Sequence, residues 1–171
     1  LKFGLNRETE VGFNGEAEGD VPPTKNWDER TNYNVQFGQG LTTTAVQLAS
    51  AYQAIGNGGV REPVKLVSGC EWPDGTVTDT PTGEETRVVP ESAARQTLDM
   101  MEQVVSQGGN HDAVTIPGYR IAAKSGTAEV AENGVYGDKT IISFAGIAPA
   151  DNPQYVVLVT ASIPSSMYNS S

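Results

Sequence analysis

Two segments of the chain place hydrophobic residues at the spacing of an α-helix. In residues 42–55, Leu48, Tyr52 and Ile55 fall on one helical face, and the threonines that open the segment are suitable N-caps. A Gly-Asn-Gly-Gly run at residues 56–59 predicts the end of this helix, because these residues tolerate a left-handed backbone.

The second helix is predicted to run from residues 90–92 to the glycines at positions 108 and 109. Its hydrophobic residues step by four, three and four positions and form one stripe that we expect to be buried: Ala94, Leu98, Met101 and Val105. Met100 and Val104 are also expected to pack in the core rather than to contact a cofactor.

Three strands are predicted in the last third of the chain. Residues 119–124 alternate between two kinds of position, as a strand with two different faces does. Residues 141–147 and 155–162 are more continuously apolar, which is typical of strands that are covered on both faces. The links between the strands, at residues 132–138 and 149–153, are too short for a parallel crossover, so the strands should be antiparallel neighbours.

The rest of the chain carries weaker patterns. Residues 64–77 predict a β-hairpin whose turn is Trp72-Pro73-Asp74-Gly75. Residues 1–35 are rich in glycine and proline and predict an extended surface segment with little regular structure. Antiparallel strands packed with at least two helices make an α+β fold, and 171 residues is the size of one domain.

Composition and charge exclude several classes of function. The 21 acidic and 11 basic residues give a net charge of −10, which argues against a nucleic-acid partner and against a polybasic contact with anionic lipid. The most apolar run, residues 155–159, is far shorter than a membrane-spanning helix requires. Cys70 is the only cysteine and His111 the only histidine, so we predict no intrachain disulfide, no metal site and no Cys–His catalytic pair.

One short motif carries candidate chemistry, and it stands at the end of the first predicted strand of the sheet. The motif is Lys124-Ser125-Gly126-Thr127. A strand edge can pair with an extended peptide, and Gly126 allows that peptide to approach the backbone closely. The hydroxyls of Ser125 and Thr127 can donate to a carboxylate, the Lys124 ammonium adds a positive field, and the Thr127 N–H can serve in an oxyanion hole. The alternative is a surface strand that ends in a solvated lysine and a glycine turn.

Longer segments around this motif resemble class B penicillin-binding proteins. Residues 37–44, continued through residues 47–59, are similar to the segment that follows the second catalytic motif of that family. Residues 117–129 resemble the third-motif strand, and residues 143–149 and 155–157 resemble the two strands after it. The similarity therefore follows the order of the family over almost the whole chain.

The resemblance implies a fold, a reaction and a set of roles. The fold is the C-terminal portion of the penicillin-binding transpeptidase (β-lactamase-like) domain, an incomplete α+β unit over residues 1–171. The reaction is acyl transfer from a stem peptide that ends in D-Ala-D-Ala, and β-lactams acylate the same serine. Catalytic roles would fall to Lys124, which bonds the second-motif serine, and to Thr127, whose N–H completes the oxyanion hole. Substrate binding would fall to one run of the strand: Ser125, Gly126, Thr127 and Ala128.

The resemblance also leaves the family's first two catalytic motifs unaccounted for. No serine of the chain has a lysine three residues later or an asparagine two residues later. The nucleophile is therefore expected upstream of Leu1, and this chain alone is expected to be inactive.

The family implies further properties of the parent protein. The implied setting is the extracytoplasmic face of a bacterial membrane, reached through an anchor that this chain lacks, with no cofactor and no metal. Peptidoglycan stem peptides, β-lactams and cell-division proteins are the implied partners. Two alternatives stay open: a β-lactamase or carboxypeptidase of the same fold, and a non-catalytic sensor or division-complex scaffold.

Overall fold

The computed structural model describes residues 2–81, 83–108, 111–132 and 135–168. The chain begins with irregular segments and a short 3-10 turn at Thr24–Asn26. The helices that follow are α1 (Glu29–Gln36), α2 (Ala45–Gly56), α3 (Glu91–Gln107), α4 (His111–Val114) and α5 (Ser165–Tyr168). The strands are β1 (Val60–Arg61), β2 (Gly69–Glu71), β3 (Val77–Asp79), β4 (Thr86–Arg87), β5 (Ala122–Glu132), β6 (Val135–Ala148) and β7 (Tyr155–Pro164).

The last three strands form an antiparallel sheet in the order β5-β6-β7, which confirms the predicted meander and the α+β class. Lys124 lies opposite Ala145 on the middle strand, and Gly146 lies opposite Val157 on the last. Among the described residues, the outer edge of β5 and the outer edge of β7 have no neighbouring strand. Smaller antiparallel pairs, β1 with β4 and β2 with β3, lie outside this sheet.

Helices α2 and α3 cover the sheet through a small hydrophobic core. Its buried members come from α3, the sheet and the link after β6: Leu98, Met101, Ala122, Ile147 and Ala150. Tyr52 and Ile55 of α2 pack against this cluster, as their spacing predicts. The four residues of the predicted α3 stripe are the buried residues of that helix, but Met100 and Val104 are 59% and 44% exposed, so their assignment to the core is wrong.

The boundaries of α2 are confirmed and have clear local causes. The Thr44 hydroxyl accepts a hydrogen bond from the Gln47 N–H, and the Gln47 side chain accepts one from the Thr44 N–H, which makes a capping box. At the other end, Gly58 and Gly59 have φ values of +59° and +88°. A Cβ on Gly59 would lie 2.3 Å from the Val89 carbonyl oxygen, so this position requires glycine.

Three strand predictions need correction. β5 begins at Ala122 rather than at residue 119, because the Tyr119 N–H closes a turn onto the Ile116 carbonyl and Gly118 has a φ of +85°. Residues 132–138 were expected to be a link, yet both strands extend into them; positions 133 and 134 lie outside the described residues. Within the described part of the chain, β7 is covered on one face only, because Tyr155 and Val157 are 72% and 60% exposed.

The weaker patterns are confirmed in part. A hairpin does form around the predicted turn, but its first strand begins at Gly69, and Leu66 before it is exposed. The N-terminal segment contains the unpredicted helix α1, whose first turn is capped by Asp28 accepting a 2.6 Å hydrogen bond from the Thr31 N–H. No residue of α1 is buried, so hydrophobic periodicity gives little indication of it.

A buried glutamine fastens the N-terminal segment to α2. The side chain of Gln47 is fully buried, and its amide N–H groups donate to the carbonyls of Arg7 and Glu18 at 2.7 and 2.8 Å. Its amide oxygen accepts from the Thr44 N–H and the Thr43 hydroxyl, both at 3.0 Å. All four hydrogen-bonding positions of the amide are therefore used.

A bidentate ion pair fastens the same segment to β1. The Arg61 guanidinium, which is almost completely buried, donates to both carboxylate oxygens of Glu10 at 2.6 and 3.1 Å. These bonds lower the pKa of Glu10 to about 2, against an opposing effect of its partial burial. The irregular N-terminal residues thus have defined positions although they form little secondary structure.

Candidate active site

The Lys-Ser-Gly-Thr motif lies on β5, near the start of that strand and along its unpaired edge. Ala122 and Ala123, just before the motif, are completely buried, and their packing fixes the position of the start of β5. Lys124, Ser125 and Thr127 are exposed. The predicted site residues therefore lie together on β5, and a ligand can reach the exposed ones.

Gly126 stands against the neighbouring strand. It lies opposite Ser143 of β6, and a Cβ built on it would come within 2.7 Å of the Ser143 hydroxyl oxygen. Real Cβ atoms essentially never lie so close to another atom, so any other residue requires a shift of the strand or of Ser143. The close approach of two strands is thus one reason for glycine at this position, in addition to access for a ligand.

The Lys124 side chain lies along the motif itself. Its ammonium donates a 2.6 Å hydrogen bond to the carbonyl oxygen of Ser125, and the side chain is exposed. Because the ammonium is exposed, an incoming anion can reach it. Ala128, the last predicted site residue, continues the strand opposite Ile141 and is partly buried.

An ion pair that the sequence analysis missed positions the start of β5. The Arg120 guanidinium donates to both carboxylate oxygens of Glu102 on α3, each at 2.6 Å. The Arg120 carbonyl also accepts a 2.8 Å bond from the Ala150 N–H, which ties the segment to the link after β6. The Arg120 bonds lower the pKa of Glu102. The two charged residues are 18 positions apart, so no local pattern could have paired them.

The groups of this arrangement have the chemistry that an extended anionic ligand would require. The free edge of β5 offers backbone N–H and C=O groups, two hydroxyls stand beside a glycine, and an ammonium adds positive charge. The exposed Cys70 lies in the β2–β3 hairpin, and the side chain of His111 lies outside the described residues. Among the residues described, no group of three His, Cys, Asp or Glu side chains could hold a metal ion.

The helices of the described ranges include none that is both long and apolar enough to cross a membrane.

Comparison with known families gives one match over the full chain. The sequence model described as the penicillin binding protein transpeptidase domain matches residues 1–171. The chain is 41% identical over 165 residues to penicillin-binding protein PbpB of Mycobacterium tuberculosis, covering 91% of this chain and 24% of that relative. It is 38% identical over 164 residues to the peptidoglycan D,D-transpeptidase FtsI of Escherichia coli, covering 95% of this chain and 26% of the relative.

Solved structures agree with this match. The apo form of penicillin binding protein 3 from M. tuberculosis superposes with a TM-score of 0.87 at 39% identity, over 95% of this chain and 39% of that one. Complexes of the same protein with aztreonam and with ampicillin also give a TM-score of 0.87. The chain thus spans about a quarter of the length of these curated relatives and less than half of the solved chains.

Proposed function

This chain belongs to the penicillin-binding protein transpeptidase domain family, and we propose that it forms the substrate-binding edge of a peptidoglycan D,D-transpeptidase active site. The donor substrate is a stem peptide that ends in D-Ala-D-Ala. β-Lactams such as aztreonam and ampicillin, which bind the related M. tuberculosis protein, are proposed to acylate the same centre. The observation that carries the proposal is that Lys124, Ser125 and Thr127 are exposed together on β5, whose outer edge has no neighbouring strand among the described residues.

The individual roles follow from the chemistry of each group. The donor peptide lies along the edge of β5, and its terminal carboxylate accepts hydrogen bonds from the hydroxyls of Ser125 and Thr127. The Thr127 N–H donates to the carbonyl oxygen that becomes negatively charged when the serine attacks. Lys124 supplies positive charge at the motif and bonds the serine of the second catalytic motif. Gly126 keeps the edge open for the peptide, and Ala128 extends the binding strand.

The reaction also needs a nucleophile, and the 171 residues contain neither Ser-x-x-Lys nor Ser-x-Asn. We therefore place the nucleophilic serine in a part of the full gene product other than these 171 residues. We propose that this gene product acts outside the cytoplasmic membrane, where peptidoglycan is built. The serine attacks the carbonyl of the penultimate D-Ala, the terminal D-Ala leaves with a proton on its nitrogen, and an acceptor amine then takes the acyl group. Cell-division proteins are proposed partners on the basis of family resemblance alone.

Labelling with a fluorescent penicillin tests the proposal. The full gene product is compared with its Lys124→Ala variant and with Lys65→Ala, which removes an exposed lysine that lies outside the central sheet. Loss of a charged hydrogen bond costs about 1.5–3 kcal/mol, so the second-order rate of acylation should fall about 10–100-fold in Lys124→Ala. Lys65→Ala should label at the wild-type rate.

The same experiment separates the alternatives. Equal labelling of both variants would contradict the role of Lys124. Rapid loss of the bound penicillin by hydrolysis would favour a β-lactamase or carboxypeptidase of the same fold. Absence of labelling of the wild-type gene product would favour the non-catalytic sensor or scaffold.

A further inference from the structure

A cavity of about 190 Å³ lies beside the proposed substrate-binding edge. Five hydrophobic side chains from α3, α4 and the sheet line it: Val104, Val105, Val114, Ala123 and Phe144. Among the side chains that the structure describes, the polar one in this lining is Ser125. Most of the side chains described in its lining are therefore apolar, and one hydroxyl lies at its border.

Strand register explains why this hydroxyl meets an apolar cavity. Ser125 and Phe144 are paired residues of β5 and β6, so their side chains lie on the same face of the sheet. The last turn of α3 and the short helix α4 cover that face with valines. Ser125 is exposed and Val104 is 44% exposed, so the cavity is open to solvent at this border.

The volume decides what can enter. A dry apolar cavity of about 150 Å³ is known to hold a benzene molecule. A cavity of about 190 Å³ can therefore hold one aromatic ring or a branched aliphatic group.

We propose that this cavity is a subsite for an apolar substituent on the ring atom next to the one that bears the ligand's carboxylate, three bonds from the carboxylate carbon. The inference rests on the proposed function, in which the Ser125 hydroxyl binds that carboxylate. A hydrogen bond of about 2.8 Å places the carboxylate at the border of the cavity, and three covalent bonds of about 1.5 Å join the carboxylate carbon to the substituent, which brings the substituent within reach of the cavity. All of these ligands share the carboxylate that the Ser125 hydroxyl binds. The subsite would distinguish among them by the substituent near that carboxylate.

The test uses two cephalosporins with the same acyl side chain. One carries hydrogen and the other a phenyl ring on the ring carbon next to the one that bears the carboxylate. The measured quantity is the ratio of their second-order acylation rates, phenyl over hydrogen, on the full gene product. Comparison of this ratio between variants cancels the intrinsic reactivity of the two compounds.

Three variants make the test specific. Val104→Phe fills the cavity from a partly exposed position, and the ratio should fall about tenfold or more, the scale at which hydrophobic pockets discriminate. Val104→Ala widens the cavity, and the ratio should stay at the wild-type value or rise. Val46→Phe makes the same change at a valine of α2 that is 40% exposed and does not line this cavity, and the ratio should not change.

The outcomes distinguish this inference from the proposed function. An unchanged ratio in Val104→Phe, or an equal fall in Val46→Phe, overturns the subsite while acylation itself still supports the proposed function. A fall in both Val104→Phe and Val104→Ala indicates a general disturbance of α3 and also overturns it. If neither compound acylates the wild-type protein, the proposed function fails and the subsite fails with it.

Discussion

Replacement of Gly126 by alanine is the most informative single change in the candidate site. The new Cβ would lie 2.7 Å from the Ser143 hydroxyl oxygen, whereas ordinary contacts begin at about 3.4 Å. The oxygen must therefore retreat by about 0.7 Å, or the serine must adopt another rotamer and give up its 3.5 Å contact with the Gly126 carbonyl. A change of this kind costs about 0.5–1.5 kcal/mol.

The effect on activity should be larger than the effect on stability. About 1 kcal/mol corresponds to a fall of about 2–4 °C in Tm for a domain of this size. The clash is relieved equally by a small shift of β5, which would move the Thr127 N–H and both hydroxyls, and a misplacement of about 1 Å can cost about 100-fold in rate. We therefore expect Gly126→Ala to lower the penicillin acylation rate of the full gene product about 10–100-fold, with only a small change in Tm.

Two further variants identify the cause. In the double variant Gly126→Ala/Ser143→Ala the clashing oxygen is absent, so most of the acylation rate should return. Gly146→Ala serves as the matched control, because a Cβ there meets nothing within 4 Å on the neighbouring strand β6. Full activity of Gly126→Ala, or no recovery in the double variant, would refute the explanation from strand contact.

Two other predictions concern the attachment of the N-terminal segment. The folded-state pKa of Glu10 is about 2, below its ordinary 4.5, so its contribution to stability is complete above pH 4.5 and is lost as the pH falls towards 2. The pKa difference corresponds to about 3 kcal/mol, and partial exposure of the carboxylate reduces this to about 1–2 kcal/mol. The free energy of unfolding of Glu10→Gln, measured in urea at pH 7, should be lower than that of the wild type by this amount. Gln47→Leu removes the hydrogen bonds that the buried Gln47 amide donates to the carbonyls of Arg7 and Glu18 and should cost about 1–3 kcal/mol.

The controls for these two variants come from the same molecule. Gln36→Leu changes an exposed glutamine of α1 and should alter the free energy of unfolding by less than about 0.5 kcal/mol. For Glu10→Gln, the difference from wild type should shrink as the pH falls from 4.5 towards 2. A difference that stays constant over this range would mean that the ion pair with Arg61 does not cause the effect.

The parts of the fold that sequence could predict are those set by local periodicity. The α3 stripe was correct at each of its four positions because one face of that helix is apolar and covers the sheet. Met100 and Val104 were assigned wrongly, since they lie beside that stripe and the hydrophobicity of a single residue does not show that it is covered. Helix α1 was missed because its stability comes from a cap at Asp28 rather than from burial.

The site shows the same division between local and long-range effects. The motif on β5 was found because its four residues are contiguous, and Gly126 was expected to matter for ligand access. Its contact with Ser143, 17 positions away, depends on strand register and could not be foreseen. Gln47 was overlooked within an apolar helix, although a threonine followed three residues later by glutamine is a recognised capping pattern.

The most direct test of the central claim is a crystal structure of the full gene product acylated by a penicillin. We predict that the acyl group lies along the free edge of β5, with its carboxylate about 2.7–3.0 Å from the hydroxyl oxygens of Ser125 and Thr127. Its carbonyl oxygen should accept a hydrogen bond from the Thr127 N–H. An adduct whose carboxylate and carbonyl are bound by other residues, with the edge of β5 left empty, would contradict the account.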